Sequence, residues 1–479
     1  MILRKILFVI LCVILRQAAA QQNWAAVPCY QPKLIEVVNN MFLDSVHNEI
    51  ILNSAYGNQA CNITYKGVFA YNSSGFHDLD FGLNKFNPNP STGGNRTLGC
   101  IPYNGKTLFG GFFSSVGSGT LQAEAIALWN GTVWDTFPKR CFKYNPTMAG
   151  NFAAISGFLK HDGKLWIYGG FDSLGGVPGK NLYSFDGNTF TPYTIPVNNY
   201  NGINKMIIYK NKLIAIGPFY DYPSWSISRV AMYDGVSWTS VGTGILGNIA
   251  EVNDLVIYND TLYISGSWAK SAGNVSNYIA KWDGSQLLDA GFGGFYGWGS
   301  VRKLLVYRNR LYAFGNFNYA ADQKTYGMAY YENGKWTVSP DSIANYGING
   351  AVVYNNDLYI AGGFKNINKD TTIKNFARLL CPDFDAASGC ISGISENNGR
   401  IAQVKVFPNP VHEELSIKGL TGSASRLTIL NTLGQVMREE REFHPSQSID
   451  VSDLASGVYT IRLYNGGKAL IGKFVKSSP

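Results

Sequence analysis

An all-β architecture is predicted for this 479-residue chain from three observations. Aromatic residues make up 14% of it, charged residues only 15%, and 53 glycines punctuate it, a composition suited to many short strands joined by tight turns. A phrase built on Leu-Tyr-Ile, closed by Gly and an aromatic residue, returns at a regular interval. No long stretch carries the 3.6-residue apolar period of an amphipathic helix. Single cores stop growing near roughly 250 to 300 residues unless the fold is a closed repeat ring, so two units are expected.

The chain opens with Arg4 and Lys5, an apolar run from Ile6 to Leu15, and Ala18-Ala19-Ala20 before Gln21. Residues 1–20 are therefore expected to be a secretory signal peptide cleaved after Ala20. The run is about half the roughly 20 residues a membrane-spanning helix needs, and Arg16 interrupts its continuation, so no transmembrane span is expected in the mature chain. Cys12 follows Leu11 rather than a small residue, which argues against lipid attachment there. Six cysteines remain after cleavage: Cys29, Cys61, Cys100, Cys141, Cys381 and Cys390. An even count in an exported chain permits disulfides, with 15 pairings open. Cys381 and Cys390, bracketing a short Gly/Ser/Asp segment, are the first pair to test. The formal charge of +8 includes Arg4, Lys5 and Arg16, which leaves +5 on the mature chain with no basic block, so nucleic acid is not an expected partner.

The repeat is clearest as Val353-Val-Tyr-Asn-Asn-Asp-Leu358-Tyr-Ile-Ala-Gly-Gly-Phe364 and recurs around Leu311, Leu262, Leu213, Leu165 and Leu108, with a degenerate first copy at Ile50. Successive centres lie 47 to 58 residues apart by subtraction. A second phrase follows each copy, as in Ile279-Ala-Lys-Trp282-Asp283-Gly284 and Val230-Ala-Met-Tyr233-Asp234-Gly235-Val-Ser-Trp238. Its Asp-Gly and Asn-Gly pairs read as hairpin turns, whose central positions need positive φ. Each repeat then holds four antiparallel strands. Such a unit buries its faces only against its neighbours, and seven of them predict a seven-bladed β-propeller over residues 21–390. The last repeat runs through Phe376-Ala-Arg-Leu379 and lacks its closing Trp, whereas Asn23-Trp24-Ala-Ala-Val27 supplies the missing strand. The mature N-terminus is thus expected to complete the seventh blade.

Residues 391–403 read as a Gly/Ser/Asn linker. From Val404 the rhythm changes to short strands separated by Pro and Gly, a small Ig-like β-sandwich over residues 404–479. Its pieces are Phe407-Pro408-Asn409-Pro410, Leu433-Gly434-Gln435, Ser456-Gly457-Val-Tyr459 and Gly472-Lys473-Phe474.

With these residues in view, two resemblances can be stated. The repeats, reading Leu-Tyr-x-x-Gly-x-Phe and then Ala-x-Trp-Asp-Gly, resemble the kelch and galactose-oxidase-like propeller group over roughly Asn23 to Cys381. This implies a fold and says little of activity. The C-terminal block resembles the type A sorting domain of the type IX secretion system, carried by Pro408, Asn409, Pro410, Gly434, Gly457 and Lys473 in the usual order. That resemblance implies passage through the periplasm and outer membrane, the type IX machinery as partner, removal of the domain, and either release or attachment at the surface of a Gram-negative cell.

Chemistry is sparse. The histidines are His47, His77, His161, His412 and His444, with no His-x-His spacing, so the copper chemistry known in this fold group is not carried over and no cofactor or metal is expected. His77-Asp78-Leu-Asp80 is the nearest approach to a carboxylate cluster, and it reads as a solvated turn without the Asp-x-Asp-x-Asp-Gly pattern of a calcium loop. No catalytic residue is assigned. Loops joining second to third strands, and those leading into the next blade, share one face. They hold Tyr220, Tyr222 and Trp225, Tyr296 and Trp298, and Tyr319. Exposed rings among Asn, Ser and Gly suit a glycan or a surface protein. A binding protein is the leading expectation. The alternative is a polysaccharide hydrolase or lyase with converging carboxylates at the central mouth.

Overall fold

The structure, a computed structural model, describes residues 24–27, 37–54, 59–60, 63–64, 68–80, 82–84, 96–119, 121–137, 154–247, 250–293, 299–339, 341–344, 347–379, 404–418, 424–431, 436–444, 447–465 and 468–477. The expected leader (residues 1–20) and linker (391–403), Tyr296, Trp298, Gly434, Cys381 and Cys390 lie outside them. The chain forms two compact units. Strands dominate both, and among the described residues the helical element is one 3-10 turn at Lys270–Ala272. No helix there is long and apolar enough to cross a membrane.

In the large unit the repeat phrases fold into antiparallel sheets of four consecutive strands. The fifth is representative: Glu251–Tyr258, Thr261–Ser267, Ile279–Trp282 and Leu287–Asp289 pair in that order. Sheets of the same order begin at Val38, Arg96, Ala154 and Ser300, and the fourth, with first strand Lys205–Tyr209, adds a fifth strand, Asn199–Tyr200, paired with its second. The last departs from chain order. Ile348–Tyr354, Asp357–Gly362 and Phe376–Leu379 take their fourth strand from Trp24–Ala26, with Trp24 opposite Leu379 and Ala26 opposite Ala377. A segment 350 residues upstream thus fills the place left by the missing closing Trp, as its sequence predicts.

Each sheet buries its faces against the next. Ile51 and Val68 of the first sheet pack with Phe109 and Trp129 of the second, Leu108 and Leu128 with Ile167 and Phe185 of the third, and Trp166 with Met206 and Phe219 of the fourth. Ile214 then meets Leu262, and Tyr258 meets Leu311. Strand Ile343–Ala344, which leads into the last sheet, pairs with Asn366–Ile367. Tyr359 and Phe376 of the last sheet pack against Leu52 and Phe69 of the first, which closes the sequence of contacts. Polar links run beside the apolar ones: Asn204, Asn253 and Asn349 each donate from Nδ2 to the carbonyl of Val252, Val301 and Val38 on the next sheet's first strand. The recurrent Gly of the phrase has a steric cause. A Cβ at Gly169, Gly266 or Gly315 would stand 2.1, 1.9 or 2.0 Å from the carbonyl oxygen of Ala154, Glu251 or Ser300, where the first strand bulges against the second.

Two details of the sequence reading change. In the second repeat Thr107, not Leu108, occupies the central position, because Thr107 faces Trp129 as Leu262 faces Trp282. Its closing aromatic is accordingly the buried Phe113. The Asp-Gly turns are also longer than a two-residue hairpin. Phe185 pairs with Phe190, and Asp186 Oδ1 accepts the N–H groups of Asn188 and Thr189. Asn130, Asp234 and Asp283 do the same. The Asx side chain caps the turn while the Gly alone takes positive φ. Two-residue turns with both φ values positive do occur at Asn333-Gly334, between the third and fourth strands of the sixth sheet as the sequence predicts, and between first and second strands at Lys210-Asn211, Asn259-Asp260, Arg308-Asn309 and Asn355-Asn356.

The small unit has a three-stranded sheet, Lys405–Phe407, Glu414–Lys418 and Ile449–Asp450, and a four-stranded one, Val436–Phe443, Ala424–Leu430, Gly457–Asn465 and Lys468–Lys476. Val406, Leu415 and Ile449 from one sheet share a buried core with Leu427, Ile461 and Phe474 from the other.

Candidate functional site

Three places carry side chains that burial alone does not explain. The first is the connection between the second and third strands of the fourth sheet. Tyr220 and Trp225 stack with centroids 5.3 Å apart and planes at 21°, and Tyr222 meets Trp225 edge-on at 5.8 Å. Tyr222 is 58% exposed. The loop is held from inside: Asp221 Oδ2 accepts the Ser224 and Ser226 hydroxyls, which keep its carboxyl below the usual range. Asn198 donates to the Tyr222 carbonyl and accepts its N–H. Under the rings, the Arg229 guanidinium lies 5.3 Å from the Tyr220 centroid and donates to the carbonyls of Ile245, Gly247 and Ala250. Tyr220, Tyr222 and Trp225 are thus brought together as one braced platform. Tyr319 lies in the corresponding connection of the sixth sheet, in a two-residue strand paired with Gln323–Lys324, and is not part of the platform.

The second place lies on the first strands of the fourth, fifth and sixth sheets. Asp254 is buried, with Lys205 on one oxygen and Lys303 3.3 Å from the other, which also accepts the Leu304 N–H at 2.8 Å. Burial works to raise this carboxyl, but the two ammoniums and the N–H outweigh it and hold it below the ordinary range. A carboxylate neutralised by two lysines is a fastener between sheets rather than half of an acid pair.

The third place was not singled out in the sequence. At the hairpin joining the first two strands of the first sheet, Asp44, His47 and Glu49 bring one ligand-type atom each within 4.8 Å of one another. His47 Nδ1 lies 2.8 Å from Asp44 Oδ2, and Thr107 of the second sheet donates to Asp44 at 2.7 Å. His77 Nε2 lies 2.9 Å from Glu49 Oε2, and that hydrogen bond raises the imidazole above its ordinary range. His77 and Asp78 thus lie in the strand Gly75–Asp78, paired with Ala70 and Phe69, rather than in a solvated turn, and His77 reaches Glu49. Burial, with the Asp44 and Glu49 charges, also pushes the free Cys100 thiol far up. The sequence signal was a departure from the repeat: Asp44 stands where the other copies have Tyr103, His161, Tyr209, Tyr258, Tyr307 and Tyr354.

In the small unit the Pro408, Asn409 and Pro410 segment is exposed and clasped to the last strand. Asn409 donates to the Lys473 carbonyl at 3.2 Å and accepts the Val475 N–H at 2.8 Å. Lys473 is exposed on the same strand, opposite Thr460. Gly457 opens the neighbouring strand opposite Lys476, and Tyr459 stacks on Phe474 at 5.4 Å.

Comparison with known proteins gives the following. No curated protein matches the chain. Among solved structures it is similar to the extracellular domain of the one-component system BT4673 from B. thetaiotaomicron, at 12% identity and TM-score 0.48 over 94% of this chain and 53% of that one. It thus spans about half the length of that domain. It is similar to a fungal alcohol oxidase of the AA5 family at 12% identity and TM-score 0.47, covering 95% of this chain and 99% of that one. A further similarity is to PorZ, a surface component of the type IX secretion system of Porphyromonas gingivalis, at 12% identity and TM-score 0.36, covering 92% and 75%. Likeness at this level says nothing of activity. Residues 405–477 match the secretion system C-terminal sorting domain family. The chain therefore carries a type IX sorting domain and is exported to the cell surface or the medium.

Proposed function

We propose that this protein is an exported recognition protein: a leader of residues 1–20, a seven-bladed propeller of kelch-like repeats, and an Ig-like sorting domain that delivers it. The propeller binds a glycan through Tyr220, Tyr222 and Trp225. The braced ring platform carries this reading. A sugar presents flat C–H faces beside hydroxyls, and stacked aromatic rings offer apolar area with little side-chain entropy left to lose. Arg229 and Asp221 fix the rings before a ligand arrives, which lowers the cost of binding. Asp254, locked between Lys205 and Lys303, supports binding over hydrolysis, because glycoside cleavage needs two carboxyls free to act across the scissile bond.

Screening the purified protein on a glycan array tests the proposal, followed by affinity measurements on the best ligand. Tyr222→Ala removes an exposed ring and leaves the core intact. It is expected to weaken binding by about 2 kcal/mol, roughly 30-fold in Kd, with an unchanged melting temperature. Tyr326→Ala, an exposed ring in the connection between the sixth sheet's second and third strands, should bind as the wild type does. Equal binding by the Tyr222 variant would remove the platform from the account.

A further inference from the structure

The first-sheet hairpin differs from its counterparts in ways that converge on one place. Elsewhere the first and second strands join through two residues, as at Asn355-Asn356 between Tyr354 and Asp357. Here Asp44 pairs with Glu49 across a four-residue turn, Ser45 to Asn48, which returns His47 over Asp44. Where other copies place an aromatic residue or histidine, this one places Asp44. On the facing second sheet, where the other later copies place Leu, Thr107 donates to Asp44. An aromatic-or-histidine position and a leucine position of the repeat have together become a carboxylate and a hydroxyl, which face each other between the first and second sheets.

The resulting carboxylates are deeply buried, Asp44 at 1% and Glu49 at 3% exposure. Asp44 is well supplied: Oδ1 accepts the Val46 N–H at 2.9 Å, Thr107 reaches the carboxylate, and His47 sits on Oδ2. Glu49 is half supplied. Its Oε2 is held by His77, whereas its Oε1 is buried with no hydrogen-bond partner among the described residues. A buried carboxylate oxygen without a donor is costly, and a coordinated cation is one of the partners that satisfies a buried charge.

We propose that Asp44, His47 and Glu49 form a binding site for a divalent transition-metal ion of the Zn²⁺ type. Two carboxylates and an imidazole, without thiolate, match the ligand preferences of Zn²⁺ and its neighbours and are a poor match for the all-oxygen shell of Ca²⁺. In a tetrahedral site two ligand atoms stand roughly 3.4 Å apart. The 2.8 Å between His47 Nδ1 and Asp44 Oδ2 needs only a small opening to admit the ion. His77 on Glu49 and Thr107 on Asp44 are positioning residues, the outer partners that orient carboxylate ligands. Three protein ligands leave one coordination position for water or an incoming ligand group.

The test uses the full chain, stripped with a chelator and titrated with Zn²⁺ against a chromophoric competitor, with thermal melting in parallel. The wild type is expected to take up one tight equivalent and to melt higher with saturating Zn²⁺. Glu49→Gln, which keeps the shape of the side chain, and His47→Ala, at a partly exposed turn, should each lose that equivalent. His77→Ala should weaken it about 10- to 100-fold. His161→Ala, at the end of the third sheet's first strand, should bind as the wild type does. Should His47→Ala misfold, the near-isosteric Glu49→Gln decides the matter. No equivalent tighter than about 100 μM, or wild-type uptake by Glu49→Gln, would overturn the site and leave two structural ion pairs.

Discussion

Replacing Trp24 with alanine is expected to destabilise the large unit by about 3 to 5 kcal/mol, the usual cost of emptying a buried Trp position. Trp24 is 1% exposed, and its strand is the outer strand of the last sheet. Its indole also does more than fill space. Nε1 donates at 2.8 Å to Asp341 Oδ2, and Asp341 is itself buried, with Asn368 on Oδ1 and Ser339 on Oδ2. Trp134 and Trp336 occupy the same place in their sheets, and their indoles donate to the Leu79 and Ala290 carbonyls. The closing strand therefore repeats an internal pattern but attaches to a charge. Trp24→Phe separates the two contributions: it keeps most of the packing and removes one donor from a buried carboxylate, for about 1 to 3 kcal/mol. Amide exchange at Phe376–Leu379 and the melting temperature are the readouts. Wild-type stability in Trp24→Ala would mean that the N-terminal strand does not fasten the sheets.

Asp254→Asn should cost about 3 kcal/mol, because it leaves the Lys205 and Lys303 ammoniums facing one another without the anion between them. The charge also predicts an acid dependence. The folded carboxyl lies below its unfolded value near 3.9, so its contribution is fully present above about pH 4 and is lost as pH falls through the folded value. That part of the acid sensitivity should vanish in Asp254→Asn. Unfolding curves of both proteins from pH 7 down to pH 3 read this directly. Equal stability at neutral pH would show the triad to be incidental.

The repeats made most of the large unit legible, because Leu-Tyr-Ile and Ala-x-Trp each mark a strand whose partner is nearby in sequence. The distant pairing of Trp24 with Leu379 was readable for a different reason: the last copy lacked a strand that Asn23-Trp24-Ala-Ala-Val27 resembles. The second copy was read one residue out, since Thr107 takes a position where a leucine is the expected marker. The same substitution belongs to the cluster that the sequence hid. Asp44, His47 and Glu49 match no spacing rule, and His77 reaches Glu49 only through the pairing of the first sheet's strands. A residue-by-residue comparison of the copies would have exposed Asp44 among the tyrosines. Of the aromatic candidates, Tyr220, Tyr222 and Trp225 sit within one loop and so were bound to be near each other. Whether Tyr319 joined them depended on the arrangement of sheets, which composition does not encode.

Export is the claim on which the rest depends, and comparing the full-length gene with one truncated before Val404 tests it most directly. The native product should start at Gln21, lack the sorting domain by intact mass, and reach the cell surface or medium only when that domain is encoded. Equal export of the truncated form would contradict the account and make residues 405–477 an ordinary accessory domain.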